Sequence, residues 1–247
     1  MAARPEQLFA PLSPVTGVLT SCDRYDLLER TLDSFFATNS FPLWELIIIE
    51  DGDTVPRRLQ RKYSSGVQWL STGRRVGQIA AIDYAYSRVQ TRYIFHMEDD
   101  WEFYAVGYIE RSMAILRRHP RCLQVWIRAL DDTNGHPVLA PVYRVNQVRW
   151  RKMAFNYGDW HGFSFNPGLR RLRDYIALGG YGRCCTFDFH QARRSEAAIS
   201  TWYRGHGYFA AILCGADVQG YVRHIGWDSH VGPPVPAHEP VSMGAQQ

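Results

Sequence analysis

The chain has 247 residues, 46% of them hydrophobic and 14% aromatic, and a formal net charge of +4. That length and apolar content are enough for a folded core and exclude disorder as the default, while the mild positive charge falls short of the concentrated Lys/Arg pattern of a nucleic-acid-binding protein. Five cysteines without a CxxC pair indicate neither a disulfide framework nor a zinc knuckle and favour a reducing compartment.

The opening "MAARPEQLFAPLSP" lacks the apolar core of a signal peptide, and no window approaches the ~18 uninterrupted apolar residues of a membrane span, so a cytoplasmic protein is expected. Five β-rich runs then follow: "VTGVLTS" (15–21), "ELIIIED" (45–51), "VQWLST" (67–72), "RYIFHME" (92–98) and "CLQVWI" (122–127). Between them lie stretches with helical periodicity. "RYDLLERTLDSFF" aligns Leu28, Leu32, Phe35 and Phe36, with Asp23 and Asp26 placed to cap its start. "GQIAAIDYAYSRV" aligns Ile79, Ile82, Tyr86 and Val89, and "GYIERSMAIL" aligns Ile109, Met113 and Leu116. Strand and helix alternating in this way predict an α/β fold with a mostly parallel sheet. In right-handed units the strand ends at Thr20–Asp23, Glu50–Gly52 and Glu98–Asp100 then converge on one carboxyl edge, where open α/β sheets bind ligands. After residue 130 the rhythm breaks into Gly-, Pro-, Trp- and Asn-rich sequence, predicting long loops and an antiparallel addition. The expected division is 1–130 and 131–247, two halves of one domain.

Two strand ends carry chemistry. Glu98, Asp99 and Asp100 are consecutive acids directly after an apolar run, and such neighbours repel unless a cation neutralises them. Hard oxygen ligands suit Mg2+ or Mn2+ with phosphates completing the shell; a solvated turn with a helix cap is the plainer explanation. In "IIIEDGD", Asp51 ends a strand beside Gly52, an arrangement that fits either a base- or ribose-binding carboxylate or an Asp-Gly turn.

The order and spacing of these segments resemble the nucleotide-binding half of GT-A glycosyltransferases, particularly the family 2 type. "VTGVLTSCDRYDLLERTLDSFFATN" resembles the first strand and helix, "WELIIIEDGD" the second strand with its base-contacting Asp, "GRRVGQIAAIDYAY" the glycine-led helix, and "FHMEDDWEF" the metal-binding DxD segment. The resemblance implies nucleotide contacts from Thr20, Asp23, Asp51, Gly77, Gln78 and Asp99, and metal contacts from Asp100 and Glu98. In the second half, "RRSEAAISTWYRGHGYFAAIL" resembles the segment whose acid is the general base of inverting enzymes. Glu196 holds that place, although the usual Glu-Asp is Glu-Ala here, and Ser195 with Glu196 also reads as an ordinary helix start. "YVRHIGWDSHVG" resembles a C-terminal stretch that brings a His to the metal, with His224 ahead of His230. In "NYGDWHGFSFNPGLRR", Trp160 and Phe163 have the aromatic character to stack on an acceptor sugar while Asp159 and His161 bond its hydroxyls.

These expectations amount to an Mn2+- or Mg2+-dependent transferase that moves a sugar from a nucleotide-diphosphate donor, a UDP-sugar in the first instance, to a hydroxyl acceptor with inversion. The alternative is a catalytically silent module that keeps the fold to bind a nucleotide or glycan. Metal-dependent binding of one nucleotide distinguishes the two.

Overall fold

The computed structural model describes residues 8–155, 158, 160–184, 192–215 and 219–227. Three buried apolar runs become its central strands: β1 (Val15–Ser21), β2 (Leu46–Glu50) and, after β3 (Val67–Ser71), β4 (Tyr93–Glu98). Every residue of β1 and β2 is buried, as strands covered on both faces require, whereas β3 is half-exposed at the sheet edge. These four strands are parallel, in the order β3-β2-β1-β4. The chain leaves β1 in one direction to build β2 and β3 and returns on its other side as β4. Residues following β1, β2 and β4 therefore meet at a crevice where the winding reverses.

Helices α1 (Tyr25–Thr38), α2 (Arg57–Lys62) and α3 (Gln78–Tyr86) connect these strands. α1 buries Leu28, Thr31, Leu32 and Phe35, while Phe36 is only half-buried. Its N-cap is Arg24, without a side-chain capping bond, and this corrects the expectation that Asp23 or Asp26 caps the helix. Asp23 instead adopts a left-handed φ of 54° and pairs with Arg75.

Beyond β4 the chain makes the short β5 (Trp101–Phe103), α4 (Tyr108–Arg118), β6 (Cys122–Trp126), the hairpin β7 (Tyr143–Val145) and β8 (Val148–Lys152), then β9 (Gly168–Arg171), α5 (Leu172–Leu178), α6 (Ala192–Gly205), β10 (Phe209–Leu213) and β11 (Val222–His224). The main sheet runs β3-β2-β1-β4-β9-β6-β10-β8-β7, and β5 pairs with β11 in a separate ribbon. The antiparallel part is thus woven in as well as appended: β9 lies between β4 and β6 and opposes both. One sheet draws strands from both sides of residue 130.

Strand alternation sends Phe95 and Met97 into a core with α1 and α4, and Ile94 and His96 towards α3, α5 and α6. Arg171, buried at the end of β9, donates to the carbonyls of Leu116, His119 and Cys122 and to Asp174 Oδ2 at 2.9 Å, which ties the C-terminus of α4 to the sheet. Among the described residues no helix is long and apolar enough to cross a membrane.

Candidate functional site

The acidic segment turns sharply after β4, and its three carboxylates have different partners. Glu98 accepts from Gln78 Nε2 at 2.6 Å and from Trp101 Nε1 at 3.3 Å. Its burial, with the charges of Asp100 and Glu196 adding, pushes its pKa to about 8. Asp99 points into the fold: it accepts from Arg24 Nε at 3.3 Å, from a second Arg24 nitrogen, and from the Cys22 amide at 3.2 Å. Burial raises it to about 7 against the opposing Arg24 charge. Expected on the nucleotide side, Asp99 instead fastens the β1–α1 turn to the end of β4, because its side chain is completely buried there.

Asp100 faces the β5–β11 ribbon. Its Oδ2 accepts from Arg24 at 2.7 Å and lies 3.2 Å from His224 Nε2, while the buried Oδ1 has no partner. Burial alone would raise its pKa, but the His224 hydrogen bond and the Arg24 charge bring it below the ordinary value. The pairing of Trp101 with His224 across the ribbon, together with a bond from the Ile225 amide to the Asp100 carbonyl at 2.8 Å, fixes this approach over 124 residues of chain. Gly226 is required by contact: a Cβ there would lie 2.6 Å from that of Asp100.

Among the described residues no group of three or more His, Cys, Asp and Glu side chains forms a metal site by itself. Asp100 and His224 nevertheless fit a cation that takes its remaining ligands from phosphate. The unpartnered Asp100 oxygen is an available hard ligand, and the 3.2 Å separation of His224 Nε2 and Asp100 Oδ2 is near the ~3 Å edge of an octahedron with ~2.1 Å bonds.

The neighbouring strand ends form the floor of the crevice. Asp51 Oδ1 accepts from the Val76 amide at 2.7 Å and Oδ2 from the Gly77 amide at 2.9 Å, so this carboxylate joins the end of β2 to the start of α3. Gly77 enters the helix at φ 94°, a conformation open to glycine. Glu50, fully buried, accepts from the Asp23 amide at 2.8 Å and is raised above the ordinary carboxylate range by burial. Sequence reasoning passed over Glu50, although its place beside Asp51 in "IIIEDGD" is the signal for it. Asp23 is held by Arg75 at 2.7 Å, and Thr20 lies buried in β1 with its hydroxyl 3.5 Å from the Met97 carbonyl. Gln78 is thereby placed between the glycine-led loop and Glu98.

Glu196 approaches from α6. That helix begins at Ala192, so Glu196 lies in its second turn and not at the helix start the sequence suggested. Its Oε1 accepts from Ser164 Oγ at 2.9 Å and from the Phe165 amide at 2.7 Å. Burial raises its pKa, opposed by these two bonds and then by the charges of Arg170 and Arg128. Arg170 in turn donates to the Ser164 carbonyl at 3.0 Å, and Arg128 stacks 4.9 Å above the Trp101 ring while pairing with Asp132 at 2.6 Å. Neither arginine had been singled out from the sequence, because Glu196, on which both act, lies far from each along the chain.

The expected acceptor residues are corrected in part. Trp160 is 4% exposed, donates to the Phe163 carbonyl and packs 3.8 Å from the His136 ring, and Phe163 is fully buried. Both rings are core and have no face free for a sugar. His161 donates its amide to Ser200 Oγ at 3.1 Å and lies 3.2 Å from Arg204, fastening its loop to α6. Asp159 and His230 lie outside the described residues.

The model for glycosyl transferase family 2 matches residues 18–190. Three solved structures are similar in fold: S. aureus TarS 1–349 (TM-score 0.57, 12% identity, covering 84% of this chain and 59% of that one), the mannosyltransferase PcManGT from Pyrobaculum calidifontis in complex with GDP-Man and Mn2+ (0.56, 16%, 85% and 60%), and GalNAc-T7 with UDP, GalNAc and Mn2+ (0.59, 13%, 94% and 46%). The chain therefore spans about half to three-fifths of the length of these structures. Their shared GT-A fold is the architecture expected from the sequence. A comparison with curated proteins gives no match.

Proposed function

This chain belongs to glycosyl transferase family 2, and on that premise we propose that it moves a sugar from a nucleotide-diphosphate donor to an acceptor hydroxyl, with inversion and with a divalent cation, in the cytoplasm. The observation that carries the reading is the approach of Asp100 and Glu98, His224, and Glu196 from three separate segments to one crevice at the carboxyl edge. Thr20, Asp23, Asp51, Gly77 and Gln78 line the donor side in this reading. A UDP-sugar is the first candidate; the structural neighbours carry GDP-Man and UDP, two of them with Mn2+. Residues 1–130 hold the donor, and 131–247 supply the base and the acceptor contacts.

Asp100 and His224 would hold the cation, which supplies positive charge where the departing diphosphate becomes more negative. The chain's own residues handle the proton. Glu196 Oε1 is occupied by Ser164 and Phe165, leaving Oε2 to take the acceptor's proton as the acceptor oxygen bonds to the anomeric carbon and the bond to diphosphate breaks. A base with a raised pKa binds that proton more strongly than an ordinary carboxylate; burial raises Glu196, and the Phe165 and Ser164 bonds and then the Arg170 and Arg128 charges oppose the rise.

The test is Glu196→Gln assayed against a panel of nucleotide sugars. The amide keeps an acceptor for Ser164 and Phe165 but cannot take a proton. Donor affinity and melting temperature are expected to stay near those of the parent while turnover falls by at least about a hundredfold. Parental turnover in the variant would remove Glu196 from the mechanism.

A further inference from the structure

We propose that the acceptor is an extended polyanion, a chain bearing phosphate or carboxylate groups, whose charges rest on a row of arginines leading from the crevice to the far edge of the sheet. This deepens the transferase reading and rests on it. The row follows from strand register. His96 on β4 lies opposite Gly168 on β9, Gly168 opposite Trp126 on β6, Trp126 beside Ile212 on β10, and Ile212 opposite Arg151 on β8. Two residues along each strand towards the carboxyl edge, on the same face, come Glu98, Arg128, Cys214 and Arg149, and Arg149 is paired directly with Arg144 on β7. The amide of Cys214 donating to the Arg149 carbonyl at 3.1 Å carries the row beyond the end of β10.

At ~4.8 Å per strand, Arg128 lies about 10 Å, Arg149 about 19 Å and Arg144 about 24 Å from the line of Glu98. Several repeat units of an extended glycan cover such a span. Arg144, Arg149 and Arg151 make no ion pair among the described residues. Arg128, 3% exposed, is already held by Asp132 and the Trp101 ring, whereas Arg149 is half-buried and Arg144 exposed, so these two present the row's charge to an anion. Placing Arg144 directly opposite Arg149 adds like-charge repulsion that an anion between them would relieve. Protection of a sheet edge does not account for Arg149 and Arg151, because β8 is an interior strand between β10 and β7, the edge strand that carries Arg144. The opposite face of the hairpin is occupied otherwise: Trp150 and Tyr143 stack at 4.7 Å, with Phe209 and His119 beyond.

The test compares the full chain with the Arg144→Gln/Arg149→Gln double variant, which leaves the Asp132-paired Arg128 in place. Binding of inorganic polyphosphate ten units long is measured at two salt concentrations, alongside binding of free nucleotide and of vesicles of phosphatidylglycerol or phosphatidylcholine. The parent should bind polyphosphate with an affinity that falls as salt rises. The double variant should bind it at least tenfold more weakly and with a slope of log K against log salt smaller by about one to two. Nucleotide binding should be equal in the two proteins. Equal polyphosphate affinity in parent and variant, or no binding by the parent, overturns the proposal. Arginine-dependent binding to phosphatidylglycerol vesicles without binding to polyphosphate also overturns it, by assigning the row to a lipid surface. If neither protein binds nucleotide, the transferase reading fails and the row is no acceptor site, whatever the polyphosphate result.

Discussion

The three adjacent acids behave as three different residues because of what meets each oxygen. Asp100 has an unpartnered oxygen and a neighbouring His224, and Asp100→Ala is expected to abolish the Mn2+ dependence of nucleotide binding, read by titrating nucleotide with and without the metal. An unchanged metal effect would place the cation elsewhere. Glu98 gives a pH prediction. Its folded pKa is raised from the ordinary 4.5 to about 8, so its contribution to stability is fully present below about pH 4 and is lost as pH rises through 8. In metal-free protein the melting temperature of the parent should therefore fall relative to that of Glu98→Gln between pH 5 and 9, and parallel curves would show that Glu98 is not perturbed. The position of this cluster at the end of β4 was legible in the sequence, because the three acids directly follow an apolar run that forms the strand. The inward turn of Asp99 was not, since its partner Arg24 is 75 residues away. Trp160 failed for a related reason: an aromatic beside Asp and His reads alike whether it faces a sugar or, as here, the Trp126 and His136 rings.

At the level of elements, periodicity located the parallel strands closely, with β1 at Val15–Ser21 as expected and β4 one residue shorter than its apolar run. β9 escaped notice. Four residues, Gly-Leu-Arg-Arg, carry no strand signature, and what makes them a strand is two open neighbours, β4 and β6, with Arg170 and Arg171 donating to carbonyls on either side. The start of α6 was misplaced because Ser195-Glu196 looks like a cap, whereas the described helix is already under way at Ala192. The joint between β2 and α3 carries a prediction of its own. Asp51 bonds the amides of Val76 and Gly77, so Asp51→Ala leaves both donors unpaired and frees the glycine-led loop beside the donor crevice. Nucleotide affinity should fall by about 1–3 kcal/mol, measured by calorimetry on variant and parent. Equal affinities would confine Asp51 to a turn.

For the molecule as a whole, the parallel direction of β1 to β4 follows from the chain's rhythm, and with it comes the convergence of Asp23, Asp51 and Glu98 on one edge, whereas the order β3-β2-β1-β4 is set by the tertiary packing. The second half was less legible because its parts meet the crevice from afar: β11 returns His224 to Asp100, and α6 returns Glu196 to the loop at Ser164. In the proposed function these returning segments complete a metal-assisted nucleotide-sugar site on the edge built by the first half. Calorimetric titration of the intact chain with UDP, GDP and dTDP, each with and without Mn2+, tests that claim most directly. One nucleotide is expected to bind at least tenfold more tightly with the metal than without it, and His224→Ala is expected to remove this difference while metal-free affinity is kept. Metal-independent binding of all three nucleotides, or no binding of any, would contradict it.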